Sequence, residues 1–372
     1  MSLVDETHLT DADAYQILNA LPGLGPVTVR ALLDQIGNPK NILSASEAAL
    51  RLVPRVGPAI VKALQDWASY INLEEERGKM AEADASFISL ADRDKYPALL
   101  QEIYDPPLGL YIKGDVLPRE RCIAIVGSRR STLYGVNIAK KIAQDLGRLG
   151  FCVVSGLARG IDAAAHRGAL EVGGATVAVL GCGVDRIYPP ENKDLYQEMA
   201  KKGALMSEFR MGRRADRQTF PMRNRIIAGL SEATIVIESD VHGGSMITAR
   251  LAGESGRLVC AVPGRIDQAS SRGCHRLIRE GAVLLRSVDD LLEELQYASQ
   301  LNLLEPETKT PKLNLDPKSA QVLHALKEMS IADVDALAEN TGMMSSDVSA
   351  ALLMLELKKT IVRRADGTFE AQ

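Results

Sequence analysis

The chain has 372 residues, 46% of them apolar and 25% charged, with a formal net charge of −4. That length predicts two or three domains with ordinary cores. The acidic balance excludes the all-over polyanion coating of basic proteins but leaves room for a local cationic patch. Cys122, Cys152, Cys182, Cys260 and Cys274 form no CxxC pair, so neither a disulfide framework nor a metal knuckle is expected. No apolar run reaches membrane-spanning length and the N-terminus lacks a signal pattern. The expectation is a soluble protein of a reducing, cytoplasmic compartment.

Residues 1–78 are expected to form a helical domain. Leu21–Leu32 and Val53–Leu64 look alike, each with a Gly-Pro step opening an apolar helical period. The pattern is that of a helix-hairpin-helix (SAM-like) unit, in which a glycine turn exposes backbone N–H groups at a helix start. Gly23, Gly25 and Gly57 are the candidate backbone contacts to a phosphate. The second copy is degenerate, with Arg55 at a glycine position. Two ordinary helical corners in a packing domain remain the plainer alternative.

Residues 79–300 alternate short Val/Ile-rich runs with amphipathic helices. The strand candidates are Cys122–Val126, Phe151–Val154, Thr176–Leu180, Leu205–Glu208, Thr234–Glu238, Leu258–Val262 and Val283–Leu285. Ser86–Leu90 and Leu110–Lys113 are candidate extra strands. Helices are expected at 134–149, 161–172 and 245–256. The alternation predicts an α/β fold with a Rossmann-like, doubly wound, mostly parallel sheet. Residues 301–315 read as a linker. Residues 316–372 are expected to hold helices near Pro317–Lys327, Ile331–Glu339 and Ser345–Lys358, then a hairpin with an Asp-Gly turn, which together suggest a winged helix. Its third helix is apolar and poor in bases, so a protein contact there competes with a DNA contact.

Ligands of open parallel sheets bind at the carboxyl ends of the strands, and four such loops carry chemistry. Gly127, Ser128, Arg129 and Arg130 follow the first full strand. A second loop runs from Ser155 to Asp162, with Gly156, Arg159 and Gly160; Asp162 is a candidate helix cap there, and His166 one turn on is either an acid–base group or a structural histidine. The third, residues 209–225, holds Arg210, Arg213, Arg214, Arg217, Phe220, Arg223, Asn224 and Arg225. Guanidinium groups pair with phosphates in a bidentate way and a ring beside them can stack on an unpaired base, so this stretch suggests a single-strand nucleic-acid groove rather than a solvated basic loop. The fourth runs from His242 to Ala249, with Gly244 and Ser245 at a helix start; Glu238 before it is a candidate general base or arginine partner. No metal cluster, activated nucleophile or Walker lysine stands out, and no catalytic set or cofactor site is expected.

GSR at 127–129, SGLARGID at 155–162, His166 in AAHRGAL, YPPEN at 188–192, SE at 207–208, FPMRNRIIAGLS at 220–231, GSMITA at 244–249 and AVPG at 261–264 resemble the DprA/Smf family, the DNA processing proteins of natural transformation. The resemblance implies binding and protection of incoming single-stranded DNA and loading of the RecA recombinase onto it. It also implies a homodimer formed through the Rossmann domain and no catalytic activity. By position it implies that Arg129, Arg217, Phe220, Arg223 and Arg225 carry phosphates or stack a base. Duplex DNA contact by the two end domains stays open. Gly243 replaces the family's usual serine, and His275 replaces a common asparagine.

Two rivals remain. LOG-type phosphoribohydrolases, on a related Rossmann fold, cleave nucleotide N-glycosidic bonds with an arginine and a glutamate beside a glycine-rich loop; Arg223 and Glu238 would take those parts, although the loop here lacks the PGGxGT form. A pure adaptor would associate with RecA without measurable affinity for oligonucleotides.

Overall fold

The computed structural model describes residues 9–116, 121–296, 316–329, 331–358, 360–364 and 367–371. Residues up to Gln296 belong to one compact unit, and those from Asp316 on to a second. The expected linker, 301–315, lies outside the described residues.

The first unit begins with helices α1 (Asp11–Ala20), α2 (Pro26–Ile36), α3 (Pro39–Leu43), α4 (Glu47–Arg51), α5 (Pro58–Gln65) and α6 (Leu73–Glu82). In α2 and α5 a glycine, Gly25 or Gly57, is the N-cap and a proline opens the first turn. Proline suits that place because its missing N–H is one the helix could not use. Three residues before each proline the backbone is left-handed, at Gly23 (φ 72°) and at Arg55 (φ 70°). The second hairpin thus keeps the turn of the first, with the strain of a left-handed arginine, on the order of 1–3 kcal/mol. The helices close on Ile17, Leu32, Leu50, Leu64 and Trp67.

The expected border at residue 78 falls inside α6, and the helical part is fastened to the sheet that follows. Gln16 Nε2 donates to the Tyr111 hydroxyl (3.2 Å), Asn19 Nδ2 to the Glu208 carbonyl (2.7 Å), and Met211 N to Glu76 Oε1 (2.8 Å).

The sheet has nine strands: β1 (Ala85–Ser89), β2 (Gly109–Gly114), β3 (Cys122–Val126), β4 (Cys152–Ser155), β5 (Thr176–Val179), β6 (Ala204–Ser207), β7 (Ala233–Val236), β8 (Leu258–Ala261) and β9 (Val283–Leu284). Their order is β1-β2-β6-β5-β4-β3-β7-β8-β9. From β6 to β9 neighbours are parallel, while β1 and β2 add an antiparallel edge, with Tyr111 opposite Ser207. Every strand expected from the sequence is present, with ends shifted by at most two residues.

Helices α7 (Ala98–Gln101), α8 (Leu133–Arg148), α9 (Ile161–Glu171), α10 (Lys193–Lys202), α11 (Thr219–Leu230), α12 (Gly244–Glu254), α13 (Arg272–Arg279) and α14 (Val288–Glu294) complete the unit. Both faces of the sheet are covered. Val177 and Val179 join Ile226 and Ile227 of α11 in one core, while Ala178 and Leu180 join Leu195 and Met199 of α10 in the other. Adjacent strand residues pointing to opposite faces explain why β5 reads as unbroken apolar sequence. The winding direction reverses between β3 and β7, so the loops leaving these two neighbours diverge and open a crevice.

The second unit has helices Pro317–Met329, Val334–Thr341 and Ser345–Leu357 and a three-stranded sheet of Ile331–Ala332, Phe369–Ala371 and Ile361–Arg363. Its core is built on Leu326, Leu337, Val348, Leu352 and Phe369. The expected second helix starts three residues late: Asp333 caps it by accepting from Ala336 N (2.8 Å), and Ile331–Ala332 pair with the wing instead. Asp366 of the expected Asp-Gly turn lies outside the described residues.

Candidate nucleic-acid interface

The β3 loop is anchored to the β7 loop across the switch point. Ser128 N donates to the Glu238 carbonyl at 2.8 Å. The Glu238 carboxylate accepts from Thr132 N (2.9 Å) and from the Thr132 hydroxyl, and Thr132 in turn caps α8 by accepting from Gly135 N. Glu238 is therefore neither a free base nor an arginine partner; its lone pairs are spent on holding the start of α8.

The β4 loop is closed from inside. Asp162 accepts from Gly156 N (3.2 Å) and Ala158 N (3.4 Å), so it ties the turn rather than the first helical amides of α9. Burial pushes its carboxyl up, against the pull of the Arg223 guanidinium. Two glycines here serve close approach. A Cβ on Gly156 would sit 1.6 Å from Arg223 Nη1, and one on Gly160 (φ 79°) would sit 2.4 Å from the Ser128 carbonyl. These glycines make room for an arginine and for the neighbouring loop.

Arg223 occupies the space so made. It is 4% exposed, and its Nη1 donates to the Val179 carbonyl at the end of β5 (2.6 Å). Its Nε has no hydrogen-bond partner. Desolvation pushes its pKa down to about 10, Asp162 opposing and the like charge of Arg129 reinforcing. A cation so placed raises the affinity of the site for an incoming anion, since leaving it unpaired is expensive.

Arg129 is exposed, with its guanidinium 5.0 Å from the centroid of the Phe220 ring. Tyr188, from YPPEN, lies on that ring as well, with centroids 5.4 Å apart and planes at 37°. The sequence had not singled out Tyr188; its scarcity value, in a chain with 4% aromatics, was the available signal. Phe220, Arg223, Asn224 and Ile227 recur at helical spacing in α11 and line one groove of about 620 Å³ at the switch point. Gly127, Ser128, Arg129 and Arg217 line the same groove, as do Gly244 and Ser245. Ser245 Oγ donates to Ser239 Oγ (2.8 Å), and the Gly244 backbone is open on its Cβ side. Gly156 and Arg159 border an adjoining recess beside Tyr188, where Arg159 pairs with Glu191 at 3.0 Å.

Arg225 does not join them. The RNR triplet is helical, and two helical residues apart is about 200° of rotation. Arg225 is turned away and buried, its Nε on Asp105 (3.0 Å) and its Nη2 on Glu208. The expected phosphate contact at Arg225 is a structural ion pair instead. Gly23 and Gly25 line a different cleft, facing the loop after β6 and the first turn of α11; Gly57 is not part of it. Of the family departures, His275 Nε2 lies 2.9 Å from the Gly264 carbonyl and so ties down the AVPG turn. A Cβ at Gly243 would sit 2.4 Å from Ser239 Oγ, so a serine there requires Ser239 to rotate.

His166 is structural. Its Nδ1 lies 2.7 Å from the Thr176 hydroxyl, which itself donates to the Val153 carbonyl. The ring therefore carries its proton on Nδ1, and the buried Nε2 has no partner. Burial, with Arg223 adding to it, pushes the pKa from 6.5 down to about 3. Between those values the unfolded chain binds a proton that the folded chain refuses, so stability falls as pH falls. This single residue is expected to remove about 2 kcal/mol between pH 7 and pH 5. Urea titrations of His166→Gln at both pH values should show that loss greatly reduced; an unchanged acid slope would show that His166 titrates alike in the folded and unfolded chain.

The family model described as DNA recombination-mediator protein A matches residues 87–296, that of the DprA winged helix domain residues 306–367, and that of a SAM-like helix-hairpin-helix tandem residues 15–66. Protein Smf of Synechocystis is 35% identical over 90% of this chain and 92% of its own length. The chain belongs to the DprA/Smf family. DNA processing protein DprA of Streptococcus pneumoniae is 44% identical over 55% of this chain and 72% of its own. The crystal structure of DprA from that organism superposes with a TM-score of 0.67 at 36% identity, covering 77% of this chain and 98% of that one. A second structure, described as showing a single-stranded DNA binding mode of DNA processing protein A from Helicobacter pylori, gives 0.51 at 30% identity, covering 57% and 96%. The family membership fits the architecture above: hairpin helices, a mostly parallel sheet and a winged helix. Among the described residues no helix is long and apolar enough to cross a membrane, and no group of three or more His, Cys, Asp or Glu could hold a metal.

Proposed function

We propose that the switch-point groove binds single-stranded DNA, with phosphates on Arg129, Arg217, Arg223 and the backbone N–H groups of the strand-end loops, and a base against Phe220 and Tyr188. The observation that carries this is the buried Arg223, with no ion pair among the described residues and an unpartnered Nε, beside the exposed Arg129 and the half-buried Phe220 in one open groove. Arg223 and Arg129 repel one another, and an anion between them relieves that repulsion. The two rings offer a platform that accepts any base. The Helicobacter pylori relative, described as binding single-stranded DNA, supports the choice of ligand. Protection of incoming DNA, loading of RecA, a homodimer and a cytoplasmic location complete the proposed role.

Titration of labelled oligothymidylate against salt tests it. Arg129→Ala should lower the slope of log K against log salt by about 0.7, the value for one single-strand phosphate contact. Phe220→Ala should cost about 1–3 kcal/mol with the slope unchanged. Equal slope losses in both variants would contradict the division of labour, and RecA association without oligonucleotide affinity would favour the adaptor.

A further inference from the structure

We infer that the bound strand leaves the groove over the loop between β6 and α11 and continues into two clefts that this loop shares with the N-terminal helices. The inference rests on the single-strand reading of the groove and adds a second, separately testable stretch of contact.

The loop is held rigidly from beneath. Met211 N donates to Glu76 Oε1 (2.8 Å), Gly212 N to both oxygens of Asp185 (2.8 and 3.0 Å), and Gly183 N to the Arg213 carbonyl (2.9 Å). Glu76 is thus occupied with a backbone amide, and Asp185 holds Gly212 N while also pairing with Arg186 (3.4 Å). The arginine side chains are left outward: Arg210, Arg213, Arg214 and Arg217 are all exposed. Arg210 donates to the Tyr70 carbonyl (3.1 Å), and Arg213 pairs with the exposed Asp216. Among the described residues Arg214 and Arg217 have no carboxylate partner.

Along the chain the nearer cleft adjoins the groove, where Arg217 of the groove is followed by Gln218 of the cleft. Arg217 and Phe220 line the groove itself. A cleft of about 690 Å³ contains Arg210, Arg213, Gln218 and Thr219, with the turn at Gly23 and Gly25 as its far wall. A further cleft of about 600 Å³ shares Arg210 and Arg213 and adds Arg214, while its other cations are paired, Arg186 with Asp185 (3.4 Å) and Lys79 with Glu75 (2.6 Å). A single phosphate would occupy only a part of one cleft. Cations shared between clefts, strung along a pinned loop and leading from the ring platform, suit a chain of phosphates. In a protein of net charge −4 this concentration is local, not compositional.

Salt titrations of the full chain with oligothymidylates of about six and about twenty nucleotides test the inference, the shorter spanning the groove alone. Arg213→Ala/Arg214→Ala, checked for an unchanged thermal melt, should lower the slope for the long oligonucleotide by about 1.4, two single-strand contacts, so that affinity changes roughly 25-fold less per decade of salt. The short oligonucleotide should bind the variant and the unsubstituted chain alike. An unchanged slope with the long oligonucleotide overturns the inference. Equal losses with both lengths also overturn it, because the arginines would then act within the groove. If the unsubstituted chain binds neither length, the single-strand reading fails and this extension with it.

Discussion

Arg223→Ala is expected to remove most oligothymidylate affinity, by about 2–5 kcal/mol, or some thirtyfold to several thousandfold. The size follows from burial. Arg223 is shielded from water, donates to the Val179 carbonyl and keeps an unpartnered Nε, so a phosphate that reaches it meets a charge little weakened by solvent. Arg223→Lys should rescue poorly, because an ammonium restores the charge but not the fork that spans a carbonyl and an anion. The fold should lose about 1–3 kcal/mol, since the Val179 carbonyl is left without its donor. Fluorescence anisotropy and urea unfolding on the same preparations separate the two effects. Wild-type affinity in a folded Arg223→Ala protein would exclude the groove as the binding site.

Arg225→Ala, two residues on, is expected to do the reverse. Losing the buried partner of Glu208 should destabilise the protein by about 3–5 kcal/mol, while the folded fraction keeps its oligonucleotide affinity. Burial already pushes the Glu208 carboxyl up despite the adjacent guanidinium, and its Oε2 has no partner, so this carboxylate tolerates no further loss. Arg225→Met combined with Glu208→Leu should recover most of the deficit, because the matched apolar pair leaves behind only the Asp105 carboxylate, which is open enough to be solvated. The urea midpoints of the single and double variants decide it; a stable single variant with weakened DNA binding would return Arg225 to the groove.

The contrast between these arginines marks where sequence reading stops. The strands were legible because buried parallel strands are short Val/Ile-rich runs between turns, and the anion loops because glycines and serines follow those runs directly. The hairpin helices were legible from their Gly-Pro openings. Treating 209–225 as one loop concealed that its last seven residues are helical, and with that the opposite facing of Arg223 and Arg225. Gly156 reads as a phosphate contact because glycine admits a close backbone approach. The approach is real, but the visitor is Arg223, from a segment more than sixty residues away. Glu238 was open to two assignments for a related reason: its partner, Thr132, lies over a hundred residues upstream. Residue 78 lies within α6, whose polar sequence carries no signal of the contacts that bind it to the sheet.

Those fastenings have a further consequence. With Gln16, Asn19 and Glu76 bolted to β2 and to the stretch after β6, the Gly23 turn and the strand-end loops ride on a single frame. Their separation works like the fixed jaws of a caliper. A flexible polymer gauged by such jaws should gain affinity in a step once it is long enough to touch both, and lengthening it beyond that point should add comparatively little.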